Sequence, residues 1–209
     1  MYKLLLWLHI IFGSISLISG TLNICMKKGG KTHRLVGKLF IWSMIISGIL
    51  AIIMTLLHPN LFLFFIAVFS LYLSSVGYLY IRQPFLSKTL KAISVTMLIA
   101  GIAFVIYGLL ALSKSSFGIV PVVFGTIGII LSIQDIKAHQ LDYKGRLVMH
   151  LQRVTAAYIS TTTAFLVVNL KLPESIPNFI PWLLPTIIIT PFIVRWSRQY
   201  SKKNKASVK

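Results

Sequence analysis

Residues 149–169 read MHLQRVTAAYISTTTAFLVVN, a run long enough to cross a bilayer that nevertheless opens on a histidine, a glutamine and an arginine. A spanning helix needs about 20 mainly apolar residues, and ionisable groups inside one are costly unless they face a bundle interior or a wet cavity. His150 and Arg153 are therefore the first candidates for a site. On a helical wheel His150, Arg153, Ala157, Thr161 and Ala164 share one narrow face of small or polar side chains. That face is expected to look inward, away from lipid.

The composition agrees with a helix of this kind inside a larger bundle. The 209 residues are 56% hydrophobic and only 11% charged, with a mean hydropathy of +0.86. A water-soluble core of this length could not use so much apolar surface, so the sequence predicts an all-α, polytopic membrane bundle. Seven spanning runs can be placed, at 4–25, 35–57, 61–81, 90–112, 117–136, 147–170 and 178–196. They fill the chain as one transmembrane domain, ending in a basic tail at 201–209.

A net charge of +18 would suggest nucleic acid in a soluble protein, but here the basic residues sit at helix ends. Lys27, Lys28, Lys31, Arg34 and Lys38 follow the first run, and Arg82, Lys88 and Lys91 the third. Lys137, Lys144 and Arg146 follow the fifth run, and Arg195, Arg198, Lys202, Lys203, Lys205 and Lys209 end the chain. The opposite loops carry only Lys3, Lys114 and Lys171. The positive-inside rule then places the N-terminus outside and the C-terminus inside, with the basic rim held against anionic headgroups. No module combining aromatic and basic residues for DNA or RNA is recognisable, so nucleic acid is not expected as a partner. Cys25 is the single cysteine, which excludes an intrachain disulfide and a thiolate cluster. The first run lacks a small-residue cleavage site and reads as an uncleaved helix.

Along the chain, His9 lies in the first run as either a ligand or, more simply, a histidine bonded to a neighbouring helix. Gly29 and Gly30 permit a tight turn, after which Thr32 is the expected N-cap and the second helix begins near His33. The third run is dense in phenylalanine and tyrosine, which marks packing more often than a cofactor, and Pro84 stops it. The fourth run has no charge between Lys91 and Lys114 and reads as a spacer. Asp135 is one of three acidic residues, and Arg153 is its attractive partner, because an unpaired charge near the membrane face is hard to tolerate. Pro181, Pro185 and Pro191 in the last run free backbone carbonyls and kink the axis.

IFGSISLISGTLNI from Ile11 aligns without gaps on VFGTIGIILSIQDI from Val123, matching Asn23 with Asp135. With a few extra residues in the second basic loop, HRLVGKLFIWSM from His33 falls on HLQRVTAAYIST from His150. This suggests a parallel 3+1+3 repeat, with units at 1–83 and 117–200 joined by a linker helix at 84–116. Asn23, His33, Asp135 and His150 would then form a pseudo-twofold constellation at the inner helix ends, unless each histidine merely anchors its helix.

The patterns LHIIFGSISLISG with KKGGKTHRLVGKLF, and HLQRVTAAYISTTTAFLVVN with PWLLPTIIITPFIVRWSRQY, resemble the bacterial predicted membrane proteins grouped as domain of unknown function 2306. The resemblance covers nearly the whole chain. It implies a multi-helix protein of the bacterial inner membrane and supplies no reaction.

Three functions fit these residues. The first is a non-enzymatic membrane protein whose inner cavity, lined by His33, Asp135, His150 and Arg153 with Asn23 and His9 as further candidates, binds or moves a small polar or anionic solute. The second is a redox protein holding b-type haem between His33 and His150. The third is an intramembrane hydrolase with zinc on His33, His139, His150 and Asp135, although no His-x-x-x-His or His-Glu-x-x-His spacing is present.

Overall fold

A computed structural model describes residues 1–82, 88–138, 141–173 and 175–202. Among them lie seven α-helices and no strand: α1 (Tyr2–Cys25), α2 (Lys31–Leu57), α3 (Leu61–Arg82), α4 (Lys88–Leu112), α5 (Ile119–Lys137), α6 (Tyr143–Asn169) and α7 (Ile180–Lys202). Six of these seven are long and apolar enough to cross a membrane. The exception is α6. Its 27 residues are more than enough in length, but His150, Gln152, Arg153 and a run of serines and threonines make it too polar. The expectation of seven apolar spans is corrected to six and one polar helix. The polarity is tolerated because α6 lies inside the bundle, against α3, α7, α1 and α2.

The helix ends follow local chemistry. Asp142 caps α6, its carboxylate accepting from the Gly145 N–H at 2.7 Å. Asn60 does the same for α3, accepting from the Leu63 N–H at 3.0 Å. Gly29, at φ +87°, turns the chain between α1 and α2, where a side chain would be strained. The expected cap at Thr32 is not used: α2 begins one residue earlier, and its N-cap is Gly30. Pro84, expected to stop α3, lies outside the described residues.

The Lys28 ammonium donates to the carbonyls of Asn23 at 2.6 Å and Ile24 at 2.7 Å, closing the open end of α1, and it stands 5.2 Å from the Trp196 ring of α7. Burial pushes its pKa below the usual lysine value, with Cys25 opposing the shift. Replacing Lys28 with methionine keeps the aliphatic stem and removes both bonds. The expected loss is about 1–3 kcal/mol, read as a lower midpoint of unfolding in detergent.

The bundle is built around α3 and α6. Half of the α3 span is buried, the largest share of any span, against about a tenth for α7. Gly77 sets the close approach, since a Cβ there would meet Val154 Cγ2 at 2.8 Å and the Val154 nitrogen at 3.2 Å. α1 runs beside α2, α2 beside α3 and α7 beside α6. In the position expected of a spacer, α4 is instead closely packed on α5 through Gly101, Gly108, Gly118 and Gly125.

The two ends of the bundle differ. At one end the turn 26–30 meets α7 through Lys28 and Trp196, and the end of α5 meets α3 and α6 through Asp135. At the other, Phe62 packs against Phe117 at 5.0 Å and Trp182 at 4.8 Å, a cluster that Phe104 and Phe65 extend.

Candidate functional site

The site is assembled where α3, α5 and α6 meet. Asp135 in the last turn of α5 and Arg153 in the third turn of α6 are both entirely buried. The guanidinium grips the carboxylate with two nitrogens, Nη2 to Oδ1 at 2.7 Å and Nε to Oδ2 at 3.1 Å. From α3, the Tyr80 hydroxyl donates to Oδ1 at 2.7 Å and the Tyr72 hydroxyl donates to Oδ2. The carboxylate thus accepts from four donors, which is what a charge removed from water needs. Nη2 also donates to the Leu131 carbonyl at 3.1 Å and the Gln134 side-chain oxygen at 3.2 Å. Nη1 of Arg153 is buried and has no partner among the described residues. The arginine therefore holds two N–H donors in reserve.

One turn away along α6, the His150 ring is fixed by the same helix crossing. Its Nδ1 lies 2.7 Å from the Gly77 carbonyl, which can only accept, so Nδ1 carries the proton and Nε2 keeps its lone pair. That Nε2 has no hydrogen bond among the described residues. With the Asn23 amide oriented to satisfy its neighbours, its nitrogen donates to His33 Nδ1 at 2.9 Å and to the His33 carbonyl at 3.1 Å, and its oxygen accepts from the Gly37 N–H at 3.0 Å. His33 is thereby the opposite tautomer, with its proton on Nε2.

The structure sorts the residues singled out from sequence. Asp135 and Arg153 meet as expected and Asn23 and His33 meet each other, while His150 bonds the Gly77 carbonyl of α3. His9 does not join them. Its Nδ1 bonds Ser47 of α2, 3.0 Å from both the carbonyl and the hydroxyl, which is the bonding to a neighbouring helix foreseen as the simpler reading. The inward face of α6 is real at Arg153 and Ala157, and Thr161 bonds Ser16 at 3.0 Å, but Ala164 is exposed. The crossing with α1 therefore ends before Ala164.

His139 lies outside the described residues, and among the described residues no three His, Cys, Asp or Glu side chains are placed to hold a metal ion. Asp135 has both oxygens taken by four donors, and His150 has committed its Nδ1 to Gly77. A haem between His33 and His150 would need a lone pair from each ring, and only His150 offers one at Nε2.

Tyr72, Tyr80, Gln134 and Gly77 were not foreseen as site residues. A signal existed for the tyrosines: with Val76 they form an i, i+4, i+8 stripe on α3, two hydroxyls on the face that also carries a core residue. A buried carboxylate in a membrane helix requires such donors.

No protein-family model, curated protein or solved structure matches this chain.

Proposed function

We propose that this chain is a bacterial inner-membrane protein, N-terminus outside and C-terminus inside, that binds and moves a small anionic or polar solute at the basic end of its bundle. The observation that carries the reading is the spare pair of donors on buried Arg153 Nη1, on the same helix and three residues along from His150, whose Nε2 keeps its lone pair. A positive group held in a dry interior with donors to spare is suited to an anion, and the adjacent imidazole can take up or release a proton as the solute comes and goes. Asp135 balances the charge while the site is empty of solute. The basic residues gathered at this end of the bundle support the orientation.

The likeness to the domain of unknown function 2306 proteins, carried by the residues quoted above, belongs to the same proposal. So does the parallel repeat. In its favour, the aligned Asn23 and Asp135 each bond a polar residue of the following long helix, His33 and Arg153. Against it, α1 lies along α2 whereas α5 lies along α4.

The test is uptake of chloride, phosphate and acetate, each tried separately, into liposomes containing the purified chain. At least one of the three should enter faster than into empty liposomes. The paired substitution Asp135→Asn with Arg153→Gln leaves no lone buried charge and should slow that uptake about tenfold or more, the worth of one charge-assisted bond of about 1.5–3 kcal/mol. His150→Gln should flatten its pH dependence. Uptake of none of the three, or uptake indifferent to both sets of substitutions in protein that still inserts, would reject the reading.

A further inference from the structure

Along the side of α7 that faces away from the bundle runs an open groove of about 700 Å³. Its walls are residues of α7 itself, from Thr186 to Arg198. Ile187, Pro191 and Val194 line the length of it and are exposed, and Arg195 and Arg198 close the basic end. At 1.5 Å per residue the twelve steps from Thr186 to Arg198 cover about 18 Å. That is close to the depth of one leaflet of a hydrocarbon core about 30 Å thick. Pro191 has no N–H, so the helical bond to the Ile187 carbonyl is missing on this face.

We infer that this groove is a binding site for an anionic phospholipid, with the phosphodiester between Arg195 and Arg198 and one acyl chain along Val194, Pro191 and Ile187. The length and the charge agree with such an occupant. Two arginines three residues apart share a helix face and present planar donor forks to a phosphate at headgroup depth. The exposed apolar lane leads from them toward the middle of the bilayer. A second copy of the chain fits poorly. Two copies share one orientation in a membrane, so a twofold contact on this face would set Arg195 and Arg198 against their own counterparts, and α7 carries no acidic residue to offset them. A zwitterionic lipid carries the same phosphodiester, but its own ammonium group offsets that charge, so the two guanidinium groups are less well neutralised.

The full chain in mild detergent is titrated with dioleoyl phosphatidylglycerol and, separately, with dioleoyl phosphatidylcholine, and bound lipid is counted by native mass spectrometry. The wild type should retain phosphatidylglycerol in preference. Arg195→Gln with Arg198→Gln should weaken that retention about thirtyfold, since each basic residue near an anionic surface contributes about a factor of five. Val194→Trp, which fills the lane and leaves the arginines, should weaken it as well. Lys3→Gln with Lys114→Gln, two exposed basic residues at the opposite end of the bundle, should leave it unchanged. Equal retention of the two lipids, wild-type retention by the arginine pair, full displacement by inorganic phosphate, or a dimer cross-linked across α7 would each overturn the site.

Discussion

Replacing Asp135 with alanine is expected to cost about 3–5 kcal/mol of stability, the usual toll for stranding one partner of a buried ion pair. The reason lies in what remains. Arg153 stays entirely buried with only the Leu131 carbonyl and the Gln134 side-chain oxygen as acceptors, and the hydroxyls of Tyr72 and Tyr80 lose theirs. Arg153→Met should cost a similar amount, because it leaves a buried carboxylate with two neutral donors. Asp135→Leu combined with Arg153→Met should be far more stable than the two single costs would suggest, since neither charge is left alone. Reversible unfolding in mixed micelles measures all three. Single costs below about 1 kcal/mol, or strictly additive ones, would mean that the pair is open to water and not the sealed contact described above.

The second large effect concerns the seam between α4 and α5, and it tests packing against backbone rather than against side chains. A methyl group added at Gly118 would meet the Leu112 nitrogen at 2.5 Å, the Gly108 carbonyl oxygen at 2.7 Å and the Ala111 carbonyl carbon at 2.9 Å. No rotamer change relieves such contacts, so the two helices must separate. Gly118→Ala should therefore cost about 1–3 kcal/mol, near the upper end for an overpacked site. Gly128→Ala makes a nominally closer contact, but to the terminal methyl of Met97, and methionine moves aside easily. Its cost should be less than half that of Gly118→Ala in the same unfolding experiment. The reverse order would show that the α4–α5 seam is looser than its geometry.

Much of this architecture can be read from the chain because membrane helices announce themselves by length and apolarity. Each of the six apolar spans was placed within a few residues of its observed ends, apart from the start of α2 and the last turn of α7. The pairing of Asp135 with Arg153 was legible for a related reason: with so few acids among so many bases, a buried arginine has almost no other partner to choose. What escaped is what depends on three dimensions. Tyr72 and Tyr80 are two among many aromatics in α3, and the stripe they share with Val76 points to a buried face without naming the carboxylate on another helix that they bond. Gly77 acts through the crossing of α3 and α6, and a glycine in a membrane helix has no signature for which crossing it serves. The proton positions on His33 and His150 follow from an amide and a carbonyl that only the folded chain brings near. The polarity of α6 was visible from the start, and its meaning is now physical: it is a helix shielded by its neighbours, whose hydroxyls bond α1 at Thr161 and α3 at Ser160.

The most direct test of a solute site at Arg153 is nitrogen-15 magnetic resonance of the reconstituted chain, labelled at arginine and histidine, before and after addition of the anion that drives uptake. Arg153 is assigned by the signal lost in the Asp135→Asn, Arg153→Gln pair. The expected result is a shift of its Nη1 resonance on adding the anion, with His150 showing a protonated Nδ1 and an unprotonated Nε2 beforehand. An Nη1 signal that does not move while uptake proceeds, or a His150 ring protonated at Nε2 alone, would contradict it and place the solute elsewhere in the bundle.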